Sequence, residues 1–274
     1  MHSAEHIALR HVTGRHNSRL KDLRQAFRRG ELTAQGECAI EGVKLVEEAI
    51  RSGLRLGTVL FAESAQPLAD KLLPQLRASV ETLLLPDSLF KAIVPSDTPQ
   101  GVAALVRVRE HTAGHLLDRS EGGPIVVAAG LQDPGNLGTI LRSAEAFGAS
   151  GLFLTEGSVS PYNAKVLRAS AGSIFRIPIV QVGMTELIAL LRERGVRMVA
   201  TSSHKGTPAP EADWALPLAI FIGNEGAGLP RDLMHQMNAI VGIPQASAVE
   251  SLNAGVAASI VLYEATRRRQ EKLK

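Results

Sequence analysis

Three stretches in the second half of the chain carry the side chains best suited to chemistry. In DPGNLGTILRSAEAFG (133–148), Asp133, Pro134 and Gly135 read as a turn. Asn136 reads as the cap of a helix that Gly148 ends, and Arg142 stands inside that otherwise apolar helix. A guanidinium there can pair with a neighbour such as Glu145, or it can clamp a phosphate and stabilise a developing oxyanion. In IFIGNEGAGLP (220–230), three glycines surround Asn224 and Glu225, so the backbone can approach something flat or narrow. A glycine-rich turn with a surface Glu is the plainer reading. In IPQASAVESLNAGVAASIVLYEATRRR (243–269), Glu250, Ser251 and Asn253 stand where a polar loop enters an apolar helix, and Ser251 or Asn253 suits its N-cap. The spacings GNLG and GNEGAG fit neither a dinucleotide fingerprint nor a phosphate loop.

All three stretches follow apolar runs. IVVAA (125–129), GLFLT (151–155), RIPIV (176–180), RMVAT (197–201), LAIFIG (218–223) and AIVGI (239–243) alternate with helical stretches. This rhythm predicts a mostly parallel sheet covered on both faces, with ligands at the carboxyl ends of its strands. An earlier α/β segment spans about 18–108. Asn17 or Ser18 caps a helix bearing Leu20, Leu23 and Phe27 and ended by Gly30, and a second helix lies in EGVKLVEEAIRSG (41–53). Strands are expected at 58–62, 81–85 and 101–108, with helical stretches near 67–77 and 87–93. HTAGHLLDRSEGGP (111–124) reads as a linker, which places a small domain at 1–118 and a larger one at 119–274.

Composition narrows the function. Hydrophobic residues at 45% and charged residues at 21% describe a folded chain, and 30 Lys+Arg against 27 Asp+Glu leave only +3. The single Cys38 excludes a disulfide framework, and no His/Cys/Asp cluster has metal-ligand spacing, so no metal is expected. No apolar run approaches the ~20 residues that span a bilayer, and the first thirty residues lack a signal-peptide core, so a cytoplasmic protein is expected. Aromatic residues at 4% argue against base-stacking platforms. The basic charge is concentrated: Arg15, Arg19, Lys21, Arg24, Arg28 and Arg29 face a single acid, Asp22. Such a stretch meets phosphates by charge and hydrogen bonding, or else it is a solvated helix face. A second cluster at 267–274 suits a helix terminus.

Taken in order, Asn136 and Arg142, GNEGAGL (223–229) and ESLNAGVA (250–257) closely resemble the three motifs of the SpoU-type RNA ribose methyltransferases, the TrmH-like branch of the SPOUT enzymes. The resemblance covers roughly 120–268. NSRLKDLRQ (17–25) and IEGVKLVEEAI (40–50) resemble, more loosely, the family's N-terminal substrate-binding domain, a small α/β module like RNA-binding ribosomal proteins. The resemblance implies a deep trefoil knot in the C-terminal sheet, a rare exception to unknotted topology. It also implies a homodimer and S-adenosylmethionine as cofactor, held by loops at Thr201, Gly223, Ile243, Leu252 and Asn253. The expected substrate is a ribose 2′-hydroxyl of RNA, ribosomal (23S-type) in preference to transfer RNA.

By the same resemblance, Arg142, Asn136, Glu225, Ser251 and Asn253 are the catalytic set. Family proposals give Arg142 the role of base. A guanidinium has a pKa above 12, so a clamp on phosphate and alkoxide is the easier chemistry. The glycines at 223, 226 and 228 are expected to let the backbone lie against adenine. The chain departs from the family where Gln245 and Ser247 replace a Met and a Gly. It departs again where Gly255 replaces a Ser, at a cost to the helix of up to ~1 kcal/mol relative to Ala. Two other readings follow: a non-catalytic RNA-binding protein whose altered 245–247 loop blocks the cofactor, and a nucleotide-dependent α/β enzyme of unrelated chemistry.

Overall fold

A computed structural model describes residues 9–14, 16–203, 205–246 and 251–272. Arg15, Ser247 and Glu250 lie outside them. The chain forms two units: one runs to Arg109 and takes in Ser160–Phe175, the other comprises Glu110–Val159 and the chain from Arg176 on.

In the first unit β1 (Arg10–His11) precedes α1 (Ser18–Arg29). Asn17 Oδ1 accepts from the N–H groups of Arg19 and Leu20 and caps α1, and Gly30 closes it at φ 63°. There follow β2 (Glu37–Glu41), α2 (Val43–Arg51), β3 (Arg55–Ala62), α3 (Gln66–Leu72), β4 (Glu81–Leu85), α4 (Asp87–Lys91) and β5 (Val102–Arg107). The sheet order is β1-β4-β3-β5-β2, with β5 antiparallel to both neighbours and the other pairs parallel. Leu20, Leu23 and Phe90 from α1 and α4 pack on one face. Val46, Leu72 and Leu167 pack on the other, where Cys38 is also buried. Burial pushes the Cys38 thiol up to about 12. Strand β2 was hidden in the sequence because glutamates stand at both its ends. Both are buried with partners: Glu37 takes Arg19 at 2.9 Å, and Glu41 accepts from Ser96 Oγ at 2.8 Å.

The second unit begins with α5 (Ala113–Leu117), β6 (Ile125–Ala128), α6 (Pro134–Ala146) and β7 (Gly151–Leu154). Next comes α7 (Ala164–Ser170), which belongs with the first unit. The second unit resumes with β8 (Ile179–Gln181), α8 (Met184–Glu193), β9 (Arg197–Ser202), β10 (Thr207–Pro208), β11 (Leu218–Ile222), α9 (Arg231–Met234), β12 (Ala239–Gly242) and α10 (Ala254–Lys272). The segment expected as a linker contains α5, whose Leu116 and Leu117 are buried in this unit's core. Polar, glycine-rich flanks had masked the leucine pair.

The seven-stranded sheet has the order β10-β12-β9-β11-β6-β7-β8, and every pair is parallel. From β6 the chain builds one side of the sheet with β7 and β8, then crosses to β9 and β10, and β11 enters between β9 and β6. The order therefore switches between β6 and β11, and their carboxyl ends open a crevice. Helices α6 and α10 pack together, with Ser143 Oγ and Ser259 Oγ 2.6 Å apart. A Cβ at Gly255 would stand 3.0 Å from that of Thr139, so this glycine serves helix packing.

Candidate active site

The loops leaving β6 and β11 are joined by one carboxylate. Glu225 accepts from the N–H groups of Gln132 at 3.1 Å and Asp133 at 2.9 Å, and from Asn136 Nδ2 at 3.0 Å. Partial burial opposes the charge, but the Asn136 amide and the backbone donors outweigh it and hold the Glu225 carboxyl below its ordinary range. Asn136 is buried, and its side chain is spent on Glu225. It does not cap α6 as expected. Asp133 does, accepting from Asn136 N at 2.8 Å, because the helix starts at Pro134, two residues earlier.

The loop bearing Glu225 is closed by its own backbone. Asn224 and Gly228 exchange N–H···O bonds of 3.1 and 2.9 Å. Asn224 Oδ1 accepts from the N–H groups of Gly226 and Ala227, and its Nδ2 donates to the Gly130 carbonyl at 2.9 Å. A Cβ at 223 would stand 2.5 Å from the Gly228 carbonyl carbon, and Gly228 itself has φ 65°. Loop closure by itself requires glycine at both positions. At Gly228 it is the positive φ and not space that requires glycine, while a Cβ at Gly226 would meet nothing nearer than Asn224 Oδ1 at 3.7 Å. Asn224 is the organising residue that reading the sequence passed over. Its signal was an Asn followed by Glu-Gly, a side chain placed to accept from the backbone two residues on.

A cavity of about 310 Å³ lies beside this loop, and Thr201, Gly223, Glu225, Ile243, Ser251 and Leu252 all line it. Thr201 Oγ1 donates to the Phe221 carbonyl at 2.9 Å and ties β9 to β11. Asn253 caps α10, its Oδ1 accepting from the N–H groups of Gly255 and Val256. Gln245 lines the cavity, and its Oε1 is buried with no hydrogen-bond partner among the described residues. A buried acceptor left unpaired is costly, so this atom suits an organic ligand that brings an N–H donor.

Arg142 is not among the cavity's lining residues. It is exposed and has neither ion pair nor hydrogen bond among the described residues. Glu145, the partner considered for it, pairs with Arg176 instead. Of the basic stretch, Lys21, Arg24, Arg28 and Arg29 are exposed on α1. Arg19 is half-buried and engaged with Glu37. Among the described residues no group of three or more His, Cys, Asp or Glu is placed to hold a metal ion, and no helix is long and apolar enough to cross a membrane.

Comparison with known proteins adds the chemistry. The model of the SpoU rRNA Methylase family matches residues 123–263, and that of the MRM3-like substrate binding domain matches 17–104. The chain is 29% identical over 255 residues to the 23S rRNA (guanosine(2553)-2′-O)-methyltransferase RlmP of Bacillus subtilis, covering 93% of this chain and 98% of the relative. It is 31% identical over 282 residues to the 23S rRNA (uridine(2479)-2′-O)-methyltransferase of Streptomyces viridochromogenes, covering 96% and 93%. The crystal structure of AdoMet-bound rRNA methyltransferase from Sinorhizobium meliloti superposes with a TM-score of 0.79 at 32% identity, covering 95% and 98%.

Proposed function

The chain belongs to the SpoU rRNA methylase family, and from that premise we propose that it methylates a ribose 2′-hydroxyl of ribosomal RNA, with S-adenosylmethionine as cofactor. The observation that carries the reading is the join between two strand-end loops at Glu225 beside a cavity holding an unpaired Gln245 acceptor. S-adenosylmethionine fits there chemically, since its adenine and its amino-acid end both bear N–H donors. When bound, it supplies an electrophilic methyl group on a sulfonium. Thr201, Gly223, Ile243, Ser251 and Leu252 would hold it, and Asn253 fixes the last of these loops by capping α10. Glu225 and Asn136 hold the β6 and β11 loops in register. They are positioning residues.

Arg142 is the group left for the substrate. Its exposed guanidinium has no partner among the described residues to give up, so it can clamp a phosphate next to the reacting ribose and stabilise the alkoxide as the hydroxyl proton passes to solvent water. The exposed cations of α1 would track the RNA backbone, with the N-terminal unit as substrate-binding domain and the second unit as methyltransferase domain. A homodimer through α10 is supported by Val256 and Tyr263, exposed at 46% and 48% and two helical turns apart. A soluble dimer working in the cytoplasm without a metal is the form this reading expects. The test is a purified methyl-transfer assay on 23S rRNA, with calorimetry of S-adenosylhomocysteine. Cofactor binding without any methylation, in vitro or in the RNA of a deletion strain compared with its parent, would sink it.

A further inference from the structure

A cavity of about 530 Å³ lies in the first unit, at the sheet end where β3 begins and β5 finishes. Three arginines line it: Arg55, Arg107 and, from the segment before β4, Arg77. Arg55 and Arg107 are direct cross-strand partners, and like charges so placed repel. The acid that would neutralise them is already taken. Glu37 pairs with Arg107 across the other edge of β5, but Arg19 holds its carboxylate at 2.9 and 3.4 Å. Gly57, at the bulge in β3, makes room for this arrangement, because any Cβ there would collide with Glu37 Oε1. All three arginines are exposed, and none has a side-chain partner among the described residues. Half-buried Ile50, Leu56 and Leu76 supply an apolar wall beside them.

We propose that this cavity is a second RNA contact, in which Arg55, Arg77 and Arg107 hold a backbone phosphate while the apolar wall receives the attached nucleoside. Repelling cations whose one neighbouring acid, Glu37, is already paired with Arg19 are relieved by a polyanion, and the mixed lining matches a nucleotide's charged and flat ends. The inference rests on the reading that this chain binds RNA. It adds a site in the first unit, whereas the cofactor cavity belongs to the second, and its arginines stand on other elements than the exposed cations of α1.

The experiment compares the wild-type chain with Arg55→Ala/Arg77→Ala/Arg107→Ala and with a control, Lys44→Ala/Lys91→Ala, which removes exposed charge away from the cavity. Binding of a 20-nucleotide polyuridine RNA and of a 23S rRNA transcript is followed by fluorescence anisotropy across salt concentrations. The triple variant is expected to lose about tenfold in affinity and about 0.7 unit of log–log salt slope, the value for one phosphate contact on a single strand. The control should move far less. Unchanged RNA affinity in the triple variant, or an equal loss in the control, would overturn the proposal. So would tight binding of uridine 5′-monophosphate that the triple variant abolishes while RNA affinity stands, since the site would then serve a free nucleotide. S-adenosylhomocysteine affinity should be the same in all three proteins, which verifies folding. Failure of the wild type to bind S-adenosylhomocysteine would count against the methyltransferase reading alone, because the arginine site is read from RNA binding.

Discussion

Glu225 accepts three hydrogen bonds from the β6 loop and the first turn of α6, whereas Arg142, six residues beyond Asn136 on the same helix, has no partner among the described residues. The first region is finished before any ligand arrives: its donors, its acceptor and its glycine turn specify one loop geometry. The second is left open. A cation already engaged in an ion pair would have to break it in order to meet substrate, while an unengaged one loses only solvent. On the proposed reading the first region positions the loops and the second meets the reacting RNA.

The sharpest way to break that assignment is Arg142→Ala. Loss of one group that stabilises developing negative charge costs about 10²–10³ in rate. Methyl transfer should fall by that much with S-adenosylhomocysteine affinity unchanged, because Arg142 does not line the cavity. Arg142→Lys should recover little, since an ammonium lacks the two-pronged planar contact. A variant that keeps its rate but loses cofactor affinity would reverse the two roles.

A smaller effect separates loop closure from ligand contact. Gly223→Ala forces a methyl group against the Gly228 backbone and should destabilise the protein by about 1–3 kcal/mol, seen as a lower denaturation midpoint without any ligand present. Gly226→Ala meets open space and should leave the free protein unchanged. Any fall in cofactor affinity in Gly226→Ala then reports the ligand's own approach to the loop.

Glu225→Gln comes next in size. It keeps one acceptor oxygen and loses the charge, so S-adenosylhomocysteine affinity should drop about tenfold, a modest figure because the carboxylate is partly solvated. The pH dependence carries a sign. The folded pKa lies below the ordinary value of 4.5, so Glu225's contribution is complete above that value and is lost as pH falls through the lowered one. Cofactor affinity, measured by titration, should be flat from neutrality to about pH 5 on this account and weaken only below 4.5. Glu225→Gln should lack that acid limb.

Much of this was legible in the sequence, and what was not has identifiable causes. Strand rhythm located β6, β7, β9, β11 and β12 to within a residue at each end and β8 less well, since the run expected at 176–180 holds a strand only over Ile179–Gln181; Asn17 with Gly30 marked both ends of α1, because these are local signals. The short β10 gave too few residues to show a period. Strand order is not local: nothing in LAIFI announces that β11 lies beside β6 and so brings Glu225 to Asn136. Nor could periodicity show that Ser160–Phe175 belongs with the first unit, where Leu167 and Phe175 join its core. Among the site residues, Ser251, Leu252 and Ile243 were found as loop positions, but Arg19 was misjudged with its neighbours. Its partner Glu37 sits on the strand that the sequence concealed. Gln245 stood out only as a departure from the family, and its significance lies in the unpaired buried oxygen.

The smallest expected effect concerns how the Arg142 helix is carried. Gly255 near the start of α10 looked like a helix defect worth up to ~1 kcal/mol, to be recovered by Ala. The packing argues otherwise. A Cβ at 255 would lie 3.0 Å from Thr139 Cβ and 3.1 Å from its Cγ2. Thr139 cannot simply rotate away, because its Oγ1 donates to the Gly135 carbonyl at 2.9 Å. The gain in propensity is therefore offset by crowding between α6 and α10, and Gly255→Ala should be neutral or destabilising by about 1 kcal/mol. Thr139→Ser removes the Cγ2 contact and keeps the hydroxyl bond. In that background Gly255→Ala should be better tolerated, a coupling that a double-mutant cycle of denaturation midpoints measures. If Gly255→Ala stabilises the wild-type chain by the full propensity difference, the two helices do not constrain one another here. The position of Arg142 would then owe nothing to α10.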